Sequence, residues 1–305
     1  SGSNDIRFWA GDTFTNRATA PLQMYEDGSV VFKSQDDVTY TAQVVIDESA
    51  VFGTCTTTLG NWTGSRVFDE TNTVTVNVGD GTLASSTRDT LLNSLTVNAM
   101  LIGSELIQFR LATLVSTGIY TLSGLLRGGR GTEWAMTGHA ATERCVLLRE
   151  AGLRRIILQN NELGLSFYYK GVTRSRPVSS ADAESFTNNA VGLKPFAPID
   201  LRASRDESGN VTFTWQRRTR LSVRVIGTLG ISVPLDEDAE SYEIDIMAAG
   251  SPTTILRTLT ATSGTVGYTA AEQTTDFGSA QASITARVYQ ISATVNRGYK
   301  LEGSA

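Results

Sequence analysis

The chain holds a single histidine, His139, among 305 residues, and only two cysteines, Cys55 and Cys145. A histidine-based metal site or catalytic triad would have to be built around that one imidazole. Two cysteines alone make neither a zinc site nor a disulfide scaffold. They read as two small buried thiols, with a single bridge between them left open. Positive charge is also short, 26 Lys and Arg against 31 Asp and Glu, for a net charge of −5. Phosphate neutralisation needs a basic face, so nucleic acid is excluded as the main partner. No apolar run approaches the ~18 residues that span a bilayer, and no charged-then-apolar leader opens the chain. Ser1-Gly2-Ser3 reads as an expression-tag scar, and the chain as an excised piece of a longer polypeptide.

Long helical periodicities are scarce as well, while Thr, Val, Ser and Gly dominate. That composition predicts an all-β protein. The length suits two or three domains with cores of their own. Leu22–Tyr25 and Val30–Phe32 flank Glu26-Asp27-Gly28-Ser29 as a hairpin, and a third strand follows within Tyr40–Ile46. Asn72–Val78 alternates cleanly and closes on Gly79-Asp80-Gly81. Ser85–Asn93 is the short helix candidate, with Ser85 or Ser86 as N-cap and Leu91 and Leu92 facing inward. Cys145–Leu148, Ile156–Leu158, Leu165–Tyr169 and Gly171–Val178 read as further strands, and Ser179–Asn189 as a surface loop.

The most informative stretch runs from Glu105 to Leu148. Glu105, Ile107, Phe109 and Leu111 share one side of a period-two repeat, which resumes at Tyr120 and Leu122 after a turn at Ser116-Thr117-Gly118. Leu125–Glu133 then reads LLRGGRGTE. Glycine at this density marks backbone that takes positive φ or approaches another segment closely. A phosphate-cradling loop would need a lysine followed by Ser or Thr and a helix, which do not follow Gly131. The better reading is structural, with Arg127 or Arg130 pairing with Glu133 or Glu105 and pinning the loop. His139 is expected to donate a structural hydrogen bond.

This block resembles the C-terminal region of the tail-hub proteins of siphophages and gene transfer agents, of the host-specificity or tip-attachment type. The resemblance rests, in order, on Glu105, Gln108 and Phe109, on Leu125 to Gly128, on Arg130 to Glu133, on His139 and Ala140, and on Val146 to Leu148. It implies a virion part located at the tail tip and assembled in the host cytoplasm. Other tail-tip proteins are the implied partners. A homotrimer is implied in the virion, while the isolated fragment suits a monomer.

A boundary is written at Leu193–Pro198, where two prolines make a stiff extended connection. Residues 1–193 are expected to form a β-rich region, sandwich- or barrel-like, with a candidate internal break near 53–70. Residues 194–305 resemble a fibronectin type III domain. Ile199–Leu201 would open it, Asn210–Trp215 would end on a core Trp, and Ser241–Met247 would point Tyr242, Ile244 and Ile246 inward. Ser283–Ser292 would put Ile284, Ala286, Val288 and Gln290 on one face. The spacing departs from that family near 217–235, read as an inserted hairpin.

No catalytic, cofactor or metal constellation is legible. Asp36-Asp37 and Asp236-Glu237-Asp238 lack the glycine turn of a calcium loop and read as solvated loop charge. No nucleophile elbow appears. The structural motif residues are therefore Arg127, Gly128, Arg130, Gly131, Glu133 and Trp215. Trp62 and Trp134 lie beside Gly, Thr and Asn and are the binding candidates, able to stack on a glycan or anchor a protein. Trp9 sits in a similar setting. The leading expectation is a non-enzymatic component of a phage-type tail tip, involved in tip assembly and host attachment. The alternatives are a receptor- or glycan-binding module and, more weakly, a piece of a cell-wall-degrading enzyme.

Overall fold

The computed structural model describes residues 5–6, 28–48, 50–64, 67–149, 153–220 and 233–304. The chain divides into two compact units, Ser3–Val191 and Gly192–Ala305. Both are built almost wholly of antiparallel strands.

The first unit opens with β1 (Asp5–Ile6), β2 (Ser29–Ser34) and β3 (Thr41–Ile46). Next come β4 (Phe52–Cys55), β5 (Phe68–Asp69) and β6 (Val74–Asn77), then helix α1 (Arg88–Asn93). They are followed by β7 (Ala99–Ile102), β8 (Glu105–Ser116), β9 (Ile119–Leu126) and β10 (Arg144–Leu147). The last strands are β11 (Ile156–Ile157), β12 (Ser166–Thr173) and β13 (Glu184–Thr187).

Strands β9, β6, β4, β10, β7 and β8 pair in that order, and β8 pairs back onto β9. The sheet therefore closes into a six-stranded barrel, and β5 continues the edge of β9 beyond β6. Closure removes the free edges that an open sheet would expose. The alternating sequence fills the interior with Val74, Val76, Met100, Ile102, Ile107, Phe109 and Leu122. A second sheet, β13-β12-β2-β3, packs Val31, Ile46 and Tyr169 together.

Three local expectations change here. The helix starts later than its serines suggest, because Thr87 caps it by accepting from the Thr90 N–H. Leu91 is buried beside Phe68 and Leu126, but Leu92 faces solvent. The polar segment after Ser179 is not all loop, since Glu184–Thr187 adds an edge strand to β12. The hairpin arm Leu22–Tyr25 and Trp9 lie outside the described residues.

The second unit is a sandwich. Strands β14 (Ile199–Arg205), β15 (Val211–Gln216), β16 (Tyr242–Met247), β17 (Ile255–Ala261) and β18 (Thr265–Tyr268) precede helix α2 (Ala270–Phe277). Strands β19 (Thr285–Ser292) and β20 (Asn296–Ser304) complete it. A three-stranded sheet β14-β15-β18 covers a four-stranded sheet β17-β16-β19-β20, the sandwich of a fibronectin type III-like domain. Trp215, Phe213, Tyr242, Ile244, Ile246 and Val288 form the core between them. The Trp215 and Tyr242 rings meet edge to face at 5.1 Å.

Helix α2 has no sequence-based counterpart above, although Thr269 and Glu272 form a reciprocal capping box at its start. Of the inserted segment near 217–235, residues 221–232 lie outside the described ones. Of the acids that follow it, Asp238 is exposed as expected, but the other two are not solvated. Asp236 and Glu237 are largely buried against Arg220, which takes Asp236 Oδ2 at 2.9 Å. Gln290 shares the buried face as expected but has no hydrogen-bond partner for either side-chain atom.

Candidate functional site

The Glu105–Glu143 region folds back on itself around one end of the barrel. Glu105 has the same strand parity as Ile107 and Phe109, so it points to the barrel side of β8. Arg127 lies two residues beyond Leu125, another interior residue, just after β9 ends. Asp69 ends β5, whose partner in β9 is Leu125. These three side chains are fully buried.

All five N–H donors of Arg127 are engaged. Nε donates to Glu105 Oε1 at 2.7 Å, and Nη2 to Glu105 Oε2 at 2.7 Å and the Met136 carbonyl at 3.3 Å. Nη1 donates to Asp69 Oδ2 at 3.1 Å and the Gly60 carbonyl at 3.0 Å. Glu105 is equally saturated, since Oε1 also accepts from the Gly128 N–H at 2.8 Å and Oε2 faces His139 Nε2 at 2.8 Å. A guanidinium has five donors and a carboxylate about four acceptor sites, so neither has capacity left for a ligand.

His139 extends the network outward. Its Nδ1 lies 2.7 Å from Glu143 Oε2, and its side chain is 3% exposed. The imidazole thus bridges the fully buried Glu105 and the partly exposed Glu143. Asp69 is held from the other side by the Thr71 and Asn72 N–H groups, the Thr71 hydroxyl and the Asn72 side-chain amide. Burial pushes its carboxyl up, but these hydrogen bonds outweigh it and leave the group below the ordinary aspartate range.

The glycines make this closure possible. Gly128 has φ +63°, and a Cβ there would come 2.9 Å from the Glu133 Cγ and the Met136 Sδ. The turn thus needs both the left-handed backbone and the missing side chain. Arg130, by contrast, takes φ +53° with a side chain, and it is exposed. It makes no hydrogen bond or ion pair with the described residues, so the pairing expected for it is not found. Two charges 130 and 127 share the same motif, yet only Arg127 lies on the barrel side of the turn.

Trp134 is 56% exposed. Trp62 is half-buried, with Gly64 packed on its ring, where a Cβ would come 2.4 Å from a ring carbon. Its backbone N–H donates to the Met136 carbonyl, which places it beside the network rather than on a free surface. A cavity of about 10 Å³, room for one water molecule, lies between Leu106, Gln108, Arg127 and Arg130. Among the described residues, no group of three or more His, Cys, Asp or Glu is placed to hold a metal ion. Nor is any helix among them long and apolar enough to cross a membrane.

Sequence reasoning placed Arg127, Glu105 and His139 in one motif but did not find Asp69 or Glu143. Asp69 carried a usable signal, because Asp-x-Thr-Asn is the pattern of an acid that caps its own turn. Glu143 carried none beyond lying four residues after His139.

A family model described as "Rcc01698-like, C-terminal" matches residues 50–146. That span nearly coincides with the barrel, from β4 to β10, and contains every member of the Arg127 network. No curated protein matches the chain. Among solved structures, the rat CD45 extracellular region, domains d3-d4, is similar at 13% identity and a TM-score of 0.26, over 50% of this chain and 68% of that one. The chicken CNTN1 FN1-FN3 domains are similar at 8% identity and a TM-score of 0.27, over 90% of each chain.

Proposed function

We propose that this chain is a non-enzymatic structural part of a phage-type tail tip, the distal region of a tail hub, incorporated in the virion and serving tip assembly and host attachment. One observation carries the reading. Part of the ordered motif that resembles tail hubs closes one end of the barrel, with Arg127, Gly128 and His139 all bonded to Glu105. A buried pair spent on internal closure fits a building block better than a catalyst, because the polar atoms of Arg127 and Glu105 are consumed by the fold.

The outer half of the β8–β9 hairpin supports an assembly role. Leu114 and Val115 are each about 60% exposed there, an apolar strip suited to neighbouring hub copies or other tip proteins. Antibodies raised against this chain should label one end of tailed particles made by the organism that encodes it. Particles that contain no such polypeptide would refute the reading.

A receptor- or glycan-binding role is the second reading, favoured by one place. Trp134 is exposed four residues along the chain from Arg130, whose exposed guanidinium has no partner among the described residues. Glycan-array binding that is lost in Trp134→Ala would support it, and the two roles are compatible in one protein.

A further inference from the structure

We propose that Cys55 and Cys145 are a disulfide-forming pair, able to bolt two adjacent staves of the barrel together once the protein meets a small-molecule disulfide oxidant.

Strand β4 runs antiparallel to β10 with Gly53 opposite Cys145 and Thr54 opposite Arg144. Cys55 is therefore the diagonal neighbour of Cys145 on the same face. That face is the barrel interior, where both belong to the main core cluster with 2% and 0% exposure. Both are free thiols, and their side chains lie near enough to perturb one another's ionisation. The neighbouring Cys55 sulfur, together with burial, pushes the ionisation of Cys145 up, while the Cys145 thiol pulls that of Cys55 down. Cys55 is thus the sulfur better placed to attack an oxidant.

Ordinary diagonal neighbours lie about 7–8 Å apart at Cα, beyond the ~7 Å within which a disulfide closes without backbone movement. A local irregularity shortens the reach here. The Cys55 N–H donates to the Glu143 carbonyl at 2.8 Å, while the Cys55 carbonyl accepts from the Thr142 N–H at 2.8 Å, so two residues oppose one. Thr142 has φ +75°. Such a bulge raises the strand twist, which closes one diagonal.

The chemistry balances with a disulfide of the oxidised-glutathione type. The Cys55 thiolate attacks one sulfur of the oxidant, forming a mixed disulfide and releasing one small thiolate. The Cys145 sulfur, after giving up its proton, attacks Cys55 and releases the second. The two protein protons end on the two small thiols, and two electrons pass from protein to oxidant. Burial makes the first step wait on local opening of β10, so closure is slow. In reducing cytosol the thiols persist, and the bridge belongs to oxidising surroundings.

The test uses the whole chain, purified reduced and then held with excess oxidised glutathione, with and without mild urea to permit opening. Intact mass should fall by about 2 Da, and iodoacetamide added after denaturation should label neither cysteine. A tryptic peptide should join the β4 and β10 segments. The melting temperature should rise by about 5 °C or more, because the bridge closes a long loop, and a phosphine reductant should reverse it. Cys55→Ser and Cys145→Ser should each lose the shift and carry at most one glutathione adduct. Two freely labelled thiols after exposure in urea would overturn the proposal. So would stable adducts on both cysteines without a bridge, or a bridged form that melts lower than the reduced one.

Discussion

Arg127 and Glu105 meet fork to fork, Nε 2.7 Å from Oε1 and Nη2 2.7 Å from Oε2, with both side chains wholly out of solvent. The pair sets the two halves of the β8–β9 hairpin against each other at the barrel end. Placing two charges in a dry interior is costly, and their attraction repays it only with good geometry and every remaining lone pair and proton satisfied. Both conditions are met here. Such a pair is a weak argument for added stability but a strong one for a unique register, because any slip strands a buried charge.

Arg127→Ala should therefore cost about 3–5 kcal/mol in denaturant unfolding, since it leaves Glu105 and Asp69 buried without their cation. Glu105→Leu combined with Arg127→Met should cost less than the two single losses summed. Additive losses would show that the residues act independently, contrary to the geometry.

Asp69 gives the network a pH signature. Its folded-state ionisation is lowered relative to a free aspartate, whose pKa is ~3.9. A lowered carboxyl stabilises the fold fully above the unfolded value and progressively less as pH falls through the folded one. Stability of the first unit should thus be flat in this contribution near neutrality and drop below about pH 4. Urea midpoints measured from pH 7 to pH 3 check it, and Asp69→Asn should be weaker at neutral pH yet lose less on acidification.

How much of this was legible follows from where the information lies. β6 and β8 announced themselves by alternation, and Trp215 by its place at the end of an alternating run. Barrel closure was not legible, because the pairing of β8 with β9 on one edge and of β9 with β6 on the other is a tertiary choice that period two does not encode. Asp236 and Glu237 misled for a related reason. An acidic triplet looks solvated unless the distant arginine that neutralises it is known, and Arg220 lies sixteen residues earlier. Within the site, the Arg127 and Arg130 spacings looked interchangeable. Only the left-handed turn at Gly128 decides which one faces the barrel.

Trp215 tests the sandwich. Trp215→Ala should cost about 3–5 kcal/mol, enough to leave a domain of typical stability mostly unfolded. The indole N–H is buried and without a hydrogen-bond partner. Trp215→Phe removes that unsatisfied donor along with part of the ring, so it should cost distinctly less than the alanine change. Near-equal losses in thermal unfolding would mean that the ring phenylalanine retains contributes nothing there.

Arg130 separates the structural role of the motif from any binding role. It holds a left-handed backbone at φ +53°, a conformation that costs a residue with a Cβ roughly 1–2 kcal/mol. No hydrogen bond or ion pair with the described residues offsets that cost. Arg130→Gly should therefore leave the melting temperature unchanged or raise it, the opposite of Arg127→Ala three positions earlier. Arg130→Ala, which keeps the strain and loses only the exposed charge, should be within about 0.5 kcal/mol of the parent. If the strain is retained for a surface function, the glycine variant should fold at least as well yet lose ligand or partner binding, as Trp134→Ala should. A large destabilisation in Arg130→Gly would instead show that this guanidinium supports the turn.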